Sequence, residues 1–330
     1  MSLVSVIVPN YNHAPYLRQR LDSIYNQTFQ DFEVIILDDC STDNSKEIIE
    51  EYRNYPQTSH IVYNEVNSGS PFKQWAKGFD LAQGEYIWIA ESDDWAELNF
   101  LEQMVPNLNK DISLAFIFCE SYWEEPQKTV KGCFAPKNTF FDGLDFIRQK
   151  QIYNNNIVNA SSVLFRKIFL PKISLDYQSF IGSGDYLFWS NLCEHGNVFY
   201  VKKHLNHFRR NSTTTTNKCL TTGKVFLENF QIYEYFKSKG YISTFANYRI
   251  VDYTLNQIKK FKDELIKNKR YDQCCSLWDK ELKLNGFQSH ILLFLAQQIN
   301  KYSNIPLYAK IWKFFHLPNT NIRDRFLGKH

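Results

Sequence analysis

Short apolar runs alternate with amphipathic stretches along the N-terminal part of this chain. The apolar runs predict four β-strands, at residues 4–9, 32–37, 61–63 and 86–90. The stretches between them carry capping residues or apolar positions at three- and four-residue spacing, and they predict helices at residues 15–27, 41–55 and 72–81. Strands and helices that alternate at this spacing indicate a parallel, doubly wound sheet flanked by helices.

The second half of the chain changes character. Apolar runs at residues 114–118 and 158–165 predict two more strands, residues 132–144 are irregular, and residues 185–195 predict a helix after a glycine-rich loop. Beyond about residue 217 the pattern becomes helical and Lys-rich. We therefore expect an α/β domain over residues 1–220 and a basic helical region over residues 221–330.

Charge is distributed unevenly along the chain. Residues 1–200 carry 15 Lys and Arg against 26 Asp and Glu, whereas residues 201–330 carry 23 against 9, giving net charges of −11 and +14. This asymmetry favours an acidic partner for the C-terminal part: a phospholipid surface, a pyrophosphate-bearing lipid or nucleic acid.

The composition predicts a globular protein of the cytoplasm. Hydrophobic residues make up 44% of the chain and charged residues 22%. The seven cysteines are odd in number and lack a metal-type spacing, so we expect free thiols in a reducing compartment. We read no signal peptide, and no run approaches the roughly 18 apolar residues of a membrane span. The protein is expected to be soluble or peripheral on the inner face of the cell membrane.

An acidic run follows the fourth predicted strand directly. Glu91, Asp93 and Asp94 lie at the strand's C-terminal end, where open α/β sheets bind their ligands. Carboxylates this close repel one another unless a cation or a shared proton compensates them. Mg²⁺ or Mn²⁺ held by such carboxylates and by substrate phosphates is one interpretation. The alternative is a solvated acidic loop that caps the next helix.

Four motifs in order carry a family resemblance: VSVIVPNYN, QTFQDFEVIILDDCSTDNS, GEYIWIAESDDW and SGDYLFW. Across roughly residues 3–215 the chain resembles the family 2 glycosyltransferases with the GT-A fold. The resemblance implies a doubly wound, mostly parallel sheet flanked by helices, here followed by a C-terminal helical region. The glycine signature of dinucleotide-binding enzymes is absent after the first strand.

By this resemblance, the ends of the first two strands bind the nucleotide. Pro9, Asn10 and Tyr11 flank the base, and the ring of Tyr11 offers a stacking face. Asp39 resembles the carboxylate that accepts a hydrogen bond from a uracil-type N–H, and Asp38 orients the turn or the ribose. The alternative for this acidic pair is a charge effect at the start of the next helix.

The resemblance also implies a metal site and diphosphate ligands. Asp93 matches the last position of the family's Asp-x-Asp motif, Asp94 follows it, and Glu91 stands where the first Asp is usual. With Mn²⁺ or Mg²⁺ these residues would neutralise charge on the diphosphate. Ser92 is expected at the nucleotide. Lys73, at the start of the helix after the third strand, is expected at the diphosphate. The family's usual Arg and Asn are missing from that helix.

The third implied element is a catalytic base. Asp185 matches the family's base at the head of a helix, although Gly184 replaces the usual preceding Glu. A plain helix cap is the alternative. Arg209 and Arg210 fall in the family's closing aromatic-Arg motif and are diphosphate candidates, or surface charge. Asn211 occupies roughly the position of that motif's His.

We therefore expect an inverting, metal-dependent glycosyltransferase that uses a nucleotide-diphosphate sugar, UDP-linked, and a saccharide or lipid-linked saccharide acceptor of a bacterial surface polymer. A binding protein without catalysis and a sugar nucleotidyltransferase are the alternatives; the latter class usually carries a glycine-rich basic loop after the first strand, which residues 10–13 lack. The basic helices at residues 258–271 and 307–325 would contact an anionic membrane, pack on the catalytic domain or form a homo-oligomer. No nucleic acid partner is expected.

Overall fold

The computed structural model describes residues 2–210 and 215–282. The described residues fall into two compact units. One contains the residues up to 147 together with 155–219, and the other contains residues 148–154 together with those after 219. Asn211 and the predicted helix at residues 307–325 lie outside the described residues.

The first unit is built on one sheet. Its strands are β1 (Val4–Asn10), β2 (Phe32–Asp38), β3 (Thr58–Tyr63), β4 (Tyr86–Ile89), β5 (Trp95–Ala96), β6 (Leu114–Glu125), β7 (Lys128–Lys131), β8 (Thr139–Phe141), β9 (Val163–Arg166) and β10 (Asn197–Arg209). The strand order is β3-β2-β1-β4-β9-β6-β10-β5, with β7 beside β6 and β8 beside β10. The pairs within β3-β2-β1-β4 are parallel, as is β6 with β10, whereas β9 is antiparallel to both its neighbours. The predicted, mostly parallel sheet is confirmed.

Helices connect the strands and continue into the second unit. They are α1 (Ala14–Tyr25), α2 (Ser45–Glu51), α3 (Pro71–Leu81), α4 (Phe100–Lys110), α5 (Gly143–Gln149), α6 (Gly184–Cys193), α7 (Thr215–Thr221), α8 (Lys224–Ser238), α9 (Thr244–Lys260), α10 (Lys262–Lys267) and α11 (Tyr271–Asp279). Within the described ranges, no helix is both long and apolar enough to cross a membrane.

Both faces of the central strands are covered. Every residue of β1, β2 and β4 is buried, as continuous apolar runs require when helices pack on either side. Val6 and Leu17 belong to one core cluster, in which α1 and α4 cover the sheet. On the opposite face α3 approaches β1 closely, because a Cβ added at Gly78 would lie 2.5 Å from Ile7 Cγ2. The glycine thus fixes how near α3 lies to the sheet.

The described part of the second unit is helical, as predicted. Trp278 is buried and donates from Nε1 to the Phe226 carbonyl at 3.1 Å, and its ring contacts Phe230 edge-on. Gly223 precedes α8 with φ +76°, a left-handed conformation that favours glycine. A side chain there would also meet Leu265 at 2.8 Å.

This fold differs locally from the sequence pattern, which did not predict α4, β5 and β7. The 13-residue strand β10 was not predicted as a strand, and its pairing with β6 shifts register between Val201 and Asn206. The irregular stretch at residues 132–144 contains β8 and the start of α5. The strand expected from residue 158 begins only at Val163, because Ala160–Ser162 forms a 3-10 turn.

Candidate active site

Three predicted loops meet at one edge of the sheet. β1 lies between β2 and β4 and is parallel to both, so the carboxyl ends of these strands are neighbours. Asn10 pairs with Asp38 in the register, and the Asp39 N–H donates to the Asn10 carbonyl at 2.8 Å. The sheet therefore brings together the nucleotide candidates after β1 and β2 and the acidic run after β4, where α/β folds place ligands.

Asn10 and Asp38 form a buried hydrogen-bond network. Asn10 Nδ2 donates to Asp38 Oδ2 at 2.8 Å and to Ser41 Oγ at 3.2 Å, while the Ser41 N–H donates to Asp38 Oδ1 at 2.9 Å. Asn10 Oδ1 is buried and accepts from no group in the described part of the chain. Beside it Pro9 is buried in β1, whereas Tyr11 is 45% exposed. A free acceptor and an exposed ring suit a nucleotide base.

Asp39 faces protein donors. Its oxygens accept from Asn64 Nδ2 at 2.6 Å, from Ser68 Oγ at 2.7 Å and N–H at 2.9 Å, and from Gln74 Nε2 at 2.9 Å. An ionised carboxylate offers about four acceptor positions. A uracil N–H would therefore have to displace one of these donors. The contacts make Asp39 a brace for the loop between β3 and α3, a role that its position in the sequence did not predict.

The acidic run after β4 holds three different environments. Glu91 Oε1 accepts from Trp75 Nε1 at 2.9 Å, and burial, reinforced by the charge of Asp93, raises the pKa of Glu91 to about 8. Asp94 is 1% exposed and accepts from Asn159 Nδ2, from Ser161 Oγ and from a backbone N–H of β10. Burial also raises the pKa of Asp93 and of Asp94. Asp93 is half-buried, as is Glu91, and within the described residues it lacks a set of donors like that of Asp94.

Ser92 is turned toward the protein. It is 1% exposed, and its Oγ lies 2.8 Å from His13 Nδ1 in the loop after β1. This contact joins the β1 and β4 loops. The predicted nucleotide contact of Ser92 stays a prediction.

Two guanidinium groups lie at the acidic run. Arg20 of α1 is fully buried and donates from Nε to the Glu91 carbonyl at 2.9 Å. Burial lowers its pKa to about 10, while the three carboxylates oppose that shift. Arg209 donates from Nε to the Asp93 carbonyl at 2.9 Å. Its Cζ lies 4.3 Å from the ring centroid of Tyr16 and 4.7 Å from that of Trp95. Arg209 is thus at the acidic run, as a diphosphate ligand would be.

The other predicted cations lie elsewhere. Arg210 packs over Trp123 and pairs with Glu125 at 3.7 Å, on the hairpin formed by β6 and β7. Lys73 is exposed and donates from Nζ to the Ser68 carbonyl at 3.0 Å. Arg210 therefore points away from the acidic run, and Lys73 lies beside the loop that Asp39 braces.

A metal ion would need ligands from its substrate here. Within residues 2–210 and 215–282, no three His, Cys, Asp or Glu side chains form a cluster that could hold an ion. Mg²⁺ commonly takes one or two carboxylates and completes its shell with phosphates and water. Asp93 and the second oxygen of Glu91 suit this arrangement. Asp94 does not, because both its oxygens already accept hydrogen bonds.

Asp185 lies in the first turn of α6, which begins after Ser183 at the cap position. Asn155 Nδ2 donates to its Oδ2 at 2.8 Å, and the helix N-terminus favours its ionised form. A Cβ added at Gly184 would lie 2.5 Å from Phe72 and 2.6 Å from the Tyr177 carbonyl. The family's usual Glu therefore has no room before this Asp.

Sequence reasoning missed Arg20 and its helix neighbours. Arg20 and Ser23 of α1 and Gln27, two residues beyond its end, are buried and form what we call the inner polar row of α1. A signal was present, because Arg20 lies three residues after Leu17 and four before Ile24, on the apolar face. Trp75 was also missed as the donor to Glu91, since it stands where the family's Arg is usual.

Proteins of known description resemble this chain in sequence. Residues 5–168 match the profile of Glycosyl transferase family 2. Over 261 residues the chain is 25% identical to TuaG of Bacillus subtilis (strain 168), a proposed teichuronic acid biosynthesis glycosyltransferase, covering 78% of this chain and 97% of TuaG. Over 142 residues it is 40% identical to the poly(ribitol-phosphate) β-N-acetylglucosaminyltransferase TarS of Staphylococcus aureus (strain Mu50 / ATCC 700699), covering 42% of this chain but only 23% of TarS.

Solved structures resemble the fold. The crystal structure of S. aureus TarS 1–349 in complex with UDP matches with a TM-score of 0.55 at 19% identity, covering 92% of both chains. At that identity the match shows the fold, which is the GT-A fold that the motifs predicted. Through residues 5–168, the chain belongs to glycosyl transferase family 2.

Proposed function

We propose that this chain transfers a sugar from a UDP-sugar, with inversion of the anomeric centre, to a saccharide or lipid-linked saccharide of a bacterial surface polymer. Family membership supports sugar transfer. The names of TuaG and TarS support a cell-surface polymer as the product. TarS structures with UDP and with UDP-GlcNAc support the donor class.

One observation carries the proposal: Trp75 connects the strand-end carboxylates to α6, the helix whose first turn holds Asp185. Trp75 donates a hydrogen bond to Glu91. Its ring centroid lies 5.8 Å from that of Phe188 and 6.0 Å from that of Trp189, both in α6. The residues proposed for donor binding and the proposed base therefore share a rigid support. Such support is what transfer between two bound substrates requires.

In the proposed reaction, Asp185 accepts the proton of the acceptor hydroxyl. The hydroxyl oxygen attacks the anomeric carbon from the face opposite the diphosphate. The bond from that carbon to the diphosphate oxygen breaks, and UDP leaves with the electron pair. A single displacement of this kind inverts the centre, as in inverting glycosidases.

Asn10 and Tyr11 are proposed to receive the base, and Arg209 to face the diphosphate. Asp93, with Glu91, would hold Mn²⁺ or Mg²⁺ jointly with the donor. When bound, the ion would neutralise charge on the departing diphosphate. The basic second unit is proposed to contact the acceptor lipid or an anionic membrane surface on the cytoplasmic side.

A panel of nucleotides tests the donor. We expect UDP and at least one UDP-sugar to raise the melting temperature, more so with Mn²⁺, while CDP and GDP do not, because specific binding stabilises the folded state. NMR of the product formed from the stabilising donor should then show an inverted anomer. Stabilisation by GDP alone, or a retained anomer, would contradict the donor class or the mechanism respectively.

A further inference from the structure

The inner polar row of α1 holds the segment that follows β4. Arg20 Nε donates to the Glu91 carbonyl at 2.9 Å, and Ser23 Oγ accepts from the Ala96 N–H at 3.2 Å. Farther along the same segment, Gln27 Nε2 donates to the Glu97 carbonyl, and Gln27 Oε1 accepts from the Leu101 N–H. The helix and the residue just beyond it thus hold the segment that contains the acidic run.

Arg20 differs from its two neighbours because it carries a charge that no solvent reaches. Its side chain is 0% exposed, and neither Nη1 nor Nη2 donates a hydrogen bond within the described residues. The guanidinium also packs over the ring of Trp88, at 5.2 Å from its centroid. Burying an arginine whose donors are partly unused is costly unless nearby charges compensate it.

The compensating charges are those of the acidic run. The same three carboxylates, Glu91, Asp93 and Asp94, act on the Arg20 charge, and Arg20 in turn acts on each of them. Arg209 reaches this run from β10 and is only half-buried, so a ligand can rearrange it. Arg20 is enclosed and cannot touch a ligand. Its effect on donor binding must therefore pass through the acidic run.

We infer that Arg20 is a positioning residue: a built-in counter-ion that holds the acidic run in place through the Glu91 carbonyl and offsets part of its negative charge before a divalent cation arrives. This rests on the proposed function, in which the run binds the donor diphosphate together with a cation. Without Arg20, the repulsion among the carboxylates would have to be relieved by the incoming cation. Nucleotide binding would then depend more strongly on that cation.

The test compares UDP affinity, measured by calorimetry with Mg²⁺ and with a chelator, in full-length variants. In Arg20→Met the ratio of the two affinities should rise roughly tenfold above the wild type, within the usual range of coupling between two sites. Arg20→Lys keeps the charge and should restore the wild-type ratio. Ser23→Ala is the matched control, because it removes a neutral member of the same row and should leave the ratio unchanged.

A role in stability alone predicts a different result. Both affinities would then fall together in Arg20→Met, the ratio would stay at the wild-type value, and the inference would be overturned. Should Arg20→Met not fold, Arg20→Gln carries the same comparison. If Arg20→Lys also fails to fold, the residue serves stability alone and the inference is again overturned.

A second measurement separates this inference from the donor proposal. Mg²⁺ alone, without nucleotide, should raise the melting temperature of Arg20→Met more than that of the wild type or of Ser23→Ala. Equal shifts would overturn the counter-ion role even if UDP binds. A wild type that binds no UDP under either condition would instead refute the donor proposal, and the Mg²⁺ measurement would still decide the role of Arg20.

Discussion

Replacing Asp39 separates its two readings, a loop brace and a base-reading carboxylate. Its side chain is 5% exposed and accepts hydrogen bonds from Asn64, Ser68 and Gln74. In Asp39→Ala the buried Gln74 amide would lose a partner that water cannot replace. Asn64 and Ser68 are half-buried and would regain part of their bonding from water.

The size of the effect follows from these contacts. A hydrogen bond to a charged group contributes about 1.5–3 kcal/mol net. Counting Gln74 in full and the two half-buried donors in part gives a loss of about 3–4 kcal/mol in the free energy of unfolding. In folding units of about 150–250 residues each kcal/mol shifts the melting temperature by roughly 2–4 °C. We therefore expect Asp39→Ala to melt roughly 6–16 °C below the wild type.

Thermal unfolding and amide hydrogen exchange measure this loss. Exchange should accelerate over residues 64–74 and stay unchanged in β10. Asp39→Asn keeps one acceptor oxygen and should lose about 1 kcal/mol. Glu65→Gln is the control in the same loop, because that side chain is exposed.

The nucleotide provides the contrast. If Asp39 only braces the loop, the affinities for UDP and CDP fall by the same factor. A variant that melts with the wild type but loses its preference for UDP over CDP would refute the brace and restore the base-reading role.

Three further substitutions test the remaining assignments. Asp93→Asn should abolish transfer and the cation dependence of UDP binding without lowering the melting temperature; normal transfer with Mn²⁺ would remove Asp93 from the metal site. Asp185→Asn should leave donor affinity nearly unchanged and reduce turnover by roughly 10² to 10⁴, the range for loss of a general base, as steady-state kinetics would measure. Burial raises the pKa of Glu91 from 4.5 to about 8, so the folded state binds the proton more tightly and stability falls as the pH rises between these values. Glu91→Gln should flatten that fall in melting curves across pH 4–9, and a profile identical to the wild type would contradict the shifted pKa.

The sequence predicted β1, β2 and β4 and the helices between them because the strands are continuous apolar runs and the helices carry apolar positions at three- and four-residue spacing. β1, β2 and β4 are continuous apolar runs that became fully buried strands. β10 was not readable: two exposed lysines follow Val201, and a register shift breaks the alternation of buried and exposed positions. Its strand pairing is set by contacts with β6, which lies some eighty residues earlier in the chain.

The sequence predicted which loops form the candidate site but not the hydrogen bonds that its residues make. Parallel strands bring their carboxyl ends together whatever the side chains are, so the motifs indicated which loops meet at the edge formed by β1, β2 and β4. The partners of Asp39 and Asp94 lie between 25 and 115 residues away in the sequence. No local pattern specifies such partners.

Charge balance explains why the acidic run was the hardest part to interpret. From the sequence, Glu91, Asp93 and Asp94 look like three uncompensated negative charges that require a cation. In the fold, Arg20 and Arg209 bring two positive charges to the same run, and burial raises the pKa of Glu91 to about 8. Both guanidinium groups act on Asp93, so they offset part of the negative charge of the run before any ligand binds. A cation that binds with the donor diphosphate would then compensate the charge of the phosphates as well as the remaining charge of the run.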